Sequence, residues 1–402
     1  YLASGKTVEV TGALTGTDCI GVSTADAIAD GSYLAVAKGH WSSVSPYTLT
    51  AGDLSAFTSD AGYGKLLNGG SVIFTNGKLH RHAVCGKETC ADGHDTAAYL
   101  PLTYDAATQT LYCGGTPVKS KVVGFGLQMD DSYLVYATEY TLAPGSYYLP
   151  EDITLTGGTV TYNNKEVTSS GGVIRLGTDY TTDNKVNLCL NGNTLSTAIA
   201  NTSMIYVTEA NTLNLSDCGT GGRIQSTNNA YKGVYINASA RQVGTFNMYG
   251  GTISGTKTGV ELYNGGAFNM YGGSITGNSD GGVHVGGTFT MYGGEITGNT
   301  ANGNGGGVYV TSSGTFRVSG KVTITGNTGA DGKTANVFLA TKTGDRTKVN
   351  AITMVGELDP DARIGITTAI GPSAESSVQF AAGATSDTLD YLKIFTADEQ
   401  DK

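Results

Sequence analysis

Charge, proline and long apolar runs are what this chain has least of. Charged residues make up 14% of its 402 positions, where roughly 25% is ordinary for a globular domain. The 24 Lys and Arg are scattered with no run of four, and with 34 Asp and Glu the net charge is −10. That balance gives no basic footprint, so neither nucleic acid nor an anionic membrane surface is expected as a partner. Seven prolines without a G-x-y period exclude a collagen-like rod. No apolar stretch approaches the 18 or so residues of a membrane helix, so no membrane insertion is expected, and the N-terminal YLASGK reads as neither signal peptide nor anchor. What is abundant is glycine: 60 residues, about twice the usual share, beside 39% hydrophobic residues. Such a chain folds, and it turns often.

The turns recur. Residues 244–254 read GTFNMYGGTIS, 266–276 GAFNMYGGSIT, 287–297 GTFTMYGGEIT and 314–325 GTFRVSGKVTIT. Phe246, Phe268, Phe289 and Phe316 mark a period of about one solenoid turn. Between them lie short second strands, GVEL from Gly259, GVHV from Gly282 and GVYV from Gly307. Apolar residues alternate with a period of two and glycine pairs interrupt every run, which excludes helix. Leu188 to Leu195 aligns without gaps on Phe246 to Ile253. The pattern predicts an all-β chain, a right-handed parallel β-helix with small flanking β elements, with turns about 4.8 Å apart. Phe, Met, Leu and Ile point inward, and Asn278, Asn299 and Asn327, each after Gly in an I-T-G-N corner, are placed to stack as an amide ladder.

A second duplication runs at longer range. Tyr1-Leu2-Ala3 resembles Phe338-Leu339-Ala340, Ile20 to Ala25 resembles Ile364 to Ala369, and Leu54 to Thr58 resembles Leu392 to Thr396. The expected organisation is therefore a closing β element of a preceding unit (1–77), a Cys/His junction (78–100), a small β lead-in (101–150), the β-helix (151–340) and a second copy of the closing element (341–402). The other reading is a local duplication in a free-standing protein.

The lines FNMYGGSITGN and GNGGGVYV, VNLCLNGNTLS at 186–196, LNLSDCG at 213–219 and HRHAVCG at 80–86 resemble the large repetitive β-helix surface proteins of gut Firmicutes. The resemblance covers most of the chain. It implies a secreted or wall-attached protein on an extracellular bacterial cell surface, very large and adhesin-like, and it carries over no catalytic motif. Cys85 stands alone in AVCG where relatives often show a CVCG-like pair.

Residues 80–94 pack three of the five His and two of the six Cys. His82, Cys85, Cys90 and His94, with His80 as substitute, have the spacing to close a tetrahedral structural zinc site. The competing reading is a Cys85–Cys90 disulfide with solvated histidines and no cofactor. Cys189 with Cys218, and Cys19 with Cys113, are further possible pairs. No HExxH, G-x-S-x-G or P-loop occurs. Across 244–328 the only acidic residues are Glu261, Asp280 and Glu295, at three places within the turn, and the pair Asp130-Asp131 reads as a solvated turn. No catalytic residue is assigned.

Tyr249, Tyr271 and Tyr292, each following an inward Met, alternate outward and form a row on one face. Such a row is either a ligand-binding surface, meeting sugar rings or a partner strand, or a ladder of rings covering corner glycines. The function expected is an extracellular structural or adhesive solenoid, a tandem unit of a long surface fibre or stalk whose neighbours stack head to tail. The alternative is a glycan-binding, lectin-like or polysaccharide-cleaving β-helix.

Overall fold

The structure is a computed structural model that describes residues 1–4, 6–14, 20–25, 33–39, 49, 53, 56–60, 64–68, 71–75, 99–125, 135–177, 184–199, 202–228, 230–238, 242–372, 377–383 and 391–398. Among the described residues the chain is all-β, with one sheet of 29 strands running from Leu100 to Ala397 and smaller sheets beside it. A four-residue helix, Tyr391–Ile394, interrupts it near its end.

The sheet is long because strands repeatedly pair in parallel with the strand one turn on. Asn184–Cys189 pairs with Asn211–Ser216, which pairs with Thr245–Met248, then Ala267–Met270, then Thr288–Thr297. Two other columns do the same, so the chain winds as a solenoid-like coil with three faces. On the first face Leu188, Leu215, Met248, Met270, Met291 and Val318 stand in register. On the second, Leu195, Ile224, Ile253, Ile275, Ile296 and Ile324 do so. On the third the column is Ile205, Val234, Val260, Val283, Val308 and Val337. All are buried in one apolar core. Phe246, Phe268, Phe289 and Phe316 stack within it at 4.9, 4.8 and 4.9 Å between ring centroids.

One alignment expected from the sequence is displaced. Val186, not Leu188, stands in the column of Leu213 and Phe246, while Leu195 does share the column of Ile253. The connection from first to second face is thus two residues longer in that turn. A slip of two keeps the side chain on the same face, so Leu188 still points inward, in the place of Met248. The glycine pairs have a steric reason: Gly273 sits at φ 86°, and a Cβ there would come within 2.7 Å of the Gly251 carbonyl and the Met248 methyl.

The strands Val135–Leu142 and Gly145–Tyr148 pair in parallel with Lys165–Leu176 and Asn184–Cys189, so the lead-in shares the sheet and the core of the coil. At the other end the tail extends all three columns. Ile352–Leu358 pairs with Thr315–Thr325 through Val318 and Met354, and Arg363–Thr368 pairs with both Thr315–Thr325 and Val337–Leu339. Ala381–Ala382 and Phe395–Ala397 then pair with the tail strands in turn.

The head, residues 1–75, has its own small core around Val10, Val22, Ala37, Phe57 and Phe74. Its pairings repeat those of the tail. Val8 pairs with Ala37 as Ile352 pairs with Ala381, and Ile20 pairs with Phe57 as Ile364 pairs with Phe395. Leu2 bridges Thr24 in parallel as Leu339 pairs with Thr368. Even flanking bonds match: Ala25 N–H donates to the Leu2 carbonyl at 2.8 Å, and Ala369 N–H to that of Leu339 at 3.0 Å.

Candidate functional site

The outward tyrosines form a continuous ladder. Tyr249, Tyr271 and Tyr292 stack nearly parallel at 4.8 and 4.9 Å, with Tyr271 39% and Tyr292 38% exposed. Rings this close cover one another's faces, so what the row offers outward is mainly ring edges and hydroxyls. Asn247, which flanks the row, belongs to a ladder of its own: Asn214 donates to Asn187, Asn247 to Asn214 and Asn269 to Asn247, at 2.7 to 2.9 Å. Those bonds engage the amide that would otherwise serve a ligand.

The corner asparagines stack as expected and continue further. Asn278 donates to Asn299, Asn299 to Asn327 and Asn327 to Asn336, at 2.9 to 3.1 Å and fully or nearly fully buried. Every amide donates in the same direction, so the last needs an acceptor with no proton to give. Asp398 supplies it, taking the Asn336 side-chain N–H at 2.6 Å and its backbone N–H at 2.7 Å. Sequence reading stopped at Asn327 because Asn336 lies nine residues on, outside the I-T-G-N corner.

A richer surface lies on the third face, and reading the motifs separately missed it. The middle residues of the Gly-Val-x-Val strands share one outward row: Tyr206, Tyr235, Glu261, His284, Tyr309 and Phe338 are in register. Aligning those strands as the F-N-M-Y-G-G lines were aligned would have found them. Lys232 pairs with Glu261 at 2.9 Å and lies 4.7 Å from the ring centres of both Tyr231 and Tyr235. His284 stacks on Tyr309 at 5.3 Å, and its Nδ1 is buried without a hydrogen-bond partner. Burial holds the His284 imidazole below its ordinary range, against the pull of Glu261. A cleft of about 260 Å³ is lined by Tyr231, Lys257, Glu261, Asp280, His284 and Tyr309. Glu261 and Asp280, expected at separate places, therefore come together, while Glu295 stands on the second face beside Ser274 and Thr323. Aromatic faces with a cation, carboxylates and an imidazole suit a hydroxyl-rich ligand.

Among the described residues no group of three His, Cys, Asp or Glu could hold a metal ion. The expected ligands His80, His82, Cys85, Cys90 and His94, together with Cys19 and Asp130-Asp131, lie outside the described residues. Cys189 and Cys218 do meet, as thiols on adjacent turns, and Cys218 is pushed up by its hydrogen bond to Cys189 and by burial. Burial likewise raises Cys113 to about 11. Among the described residues no helix is long and apolar enough to cross a membrane. No family model, no curated protein and no solved structure matches the chain.

Proposed function

We propose that the chain is a structural and adhesive unit of an extracellular array: a right-handed parallel β-helix, wound in the sense parallel crossovers take, repeated in tandem along a fibre or stalk on a bacterial cell surface. Its work is spacing and contact, with neighbouring units stacked head to tail and the Cys/His segment, zinc-bound or disulfide-bonded, at the junction. The observation that carries this reading is the recurrence of the tail's strand pairings in the head, Leu2 with Thr24, Val8 with Ala37 and Ile20 with Phe57. A free-standing coil needs each end covered once; a second copy of the same cover belongs to a second coil. The test is the denatured mass of the polypeptide from its native source. A mass several times 41.3 kDa, cut by protease in steps of about one unit, is the expected result; 41 kDa would sink the array.

Glycan binding is the second reading, and the cleft beside Glu261 and His284 favours it over the tyrosine ladder. Titration calorimetry against a panel of polysaccharides should then give binding that His284→Ala removes and Tyr271→Ala leaves in place. The reverse pattern returns the site to the ladder.

A further inference from the structure

The tail shows what this closing element does when it is occupied. Leu339, Ile352, Leu358 and Ile364 are wholly buried there, at 0, 0, 1 and 0% exposure, because the turn at 308–336 lies on them. Their counterparts in the head, Leu2, Val8, Leu14 and Ile20, are only partly buried. The strand edges differ in the same way. Ile352–Leu358 and Arg363–Thr368 each pair with Thr315–Thr325 on the side facing the coil. Among the described residues Val8–Val10 pairs on one side only, with Tyr33–Gly39, and Ile20–Val22 on one side only, with Phe57–Ser59.

The polar column has a counterpart too. Asp398 N–H donates to the Ile366 carbonyl at 2.9 Å and its carboxylate accepts from Thr367 at 3.2 Å. In the head, Asp60 N–H donates to the Val22 carbonyl at 3.2 Å and its carboxylate accepts from Ser23. Thr367 and Ser23, Ile366 and Val22, and Asp398 and Asp60 are the same positions of one element. Asp398 also takes two bonds from Asn336; Asp60 is exposed.

We propose that the head is a docking face for the last turn of a second coil of this chain's own kind, which enters through Leu2, adds strands to Val8–Val10 and Ile20–Val22, and ends its asparagine column on Asp60. The recognition is strand addition along an open edge, with four apolar side chains to cover and a carboxylate that fixes register by accepting one asparagine amide. The proposal rests on the tandem reading and gives that reading its joint.

The test uses the full chain and an extended one in which residues 101–337 are placed ahead of Tyr1, so that Val337 runs into Tyr1 as it runs into Phe338. Hydrogen exchange is followed in peptides covering residues 6–14 and 20–25. The expected result is exchange at least tenfold slower in the extended chain, largely restored by Asp60→Ala. Unchanged head exchange overturns the proposal, whether peptides common to both copies show one protected population or split into two, because the tail supports those same turns. An Asp60→Ala variant as protected as the extended parent overturns the role of the carboxylate. Native mass and head exchange are separate readouts, so a 41 kDa natural chain with a protected head would refute the array and leave the docking face standing.

Discussion

A buried amide is costly unless both its donor and its acceptor are used, and the corner asparagines solve this by serving one another. The solution was legible for Asn278, Asn299 and Asn327, which recur at one place in a repeated line. Asn336 and Asp398 were not legible, since they join the column through space from outside the I-T-G-N corner, Asn336 where the earlier turns carry glycine and Asp398 from the closing element. His284 is the other residue whose environment decides its chemistry. Its folded pKa lies below the ordinary 6.5, so the unfolded chain takes up the proton first. The stability it contributes is present above pH 6.5 and is lost as pH falls from there through the depressed folded value. Thermal midpoints measured between pH 8 and 5 should therefore drop on the acid side in the parent chain. His284→Gln should flatten that part of the profile; an unchanged profile would place the titration elsewhere.

At the scale of the element, each strand such as Ala267–Met270, with the residue that follows it, carries a rung of two ring ladders of unequal worth. Phe268 is fully buried between Phe246 and Phe289, whereas Tyr271, between Tyr249 and Tyr292, is 39% exposed. Phe268→Ala should cost about 3 to 5 kcal/mol, a lost transfer term plus a cavity, and Tyr271→Ala about 1 to 2 kcal/mol, mostly ring contact. Urea midpoints of the two variants check the order, and equal losses would mean the outer ladder bears on folding as much as the core. The phase of these strands was readable because a period of two states which side chain points inward. The register of the turn at 186–195 was not, because a two-residue difference in a loop preserves the inward pattern and so leaves no trace in it.

For the whole molecule, each turn touches only its neighbours, so stability is a sum of local interfaces. Asp398→Ala leaves the donors of Asn336 without their carboxylate and should loosen the last turns first. Hydrogen exchange should quicken in 308–339 and stay unchanged in 186–216; a uniform change would mean the coil unfolds as one cooperative body. The head and tail copies were legible in three fragments with offsets of 337, 344 and 338 residues. The match of Val8–Val10 with Ile352–Leu358 was hidden, because the tail carries an added hairpin, Thr341–Lys342 with Asp345–Val349, between its first two equivalent segments. The stacking of the turns also sets how the chain behaves under load. The stacked rings of Phe268 and Phe289, on adjacent turns, are 4.8 Å apart, yet each turn holds about 22 residues of chain, which when drawn out span about 75 Å. Tension along the axis meets hydrogen bonds end on and releases one turn at a time, so the coil can pay out roughly fifteen times its own length before a covalent bond is strained.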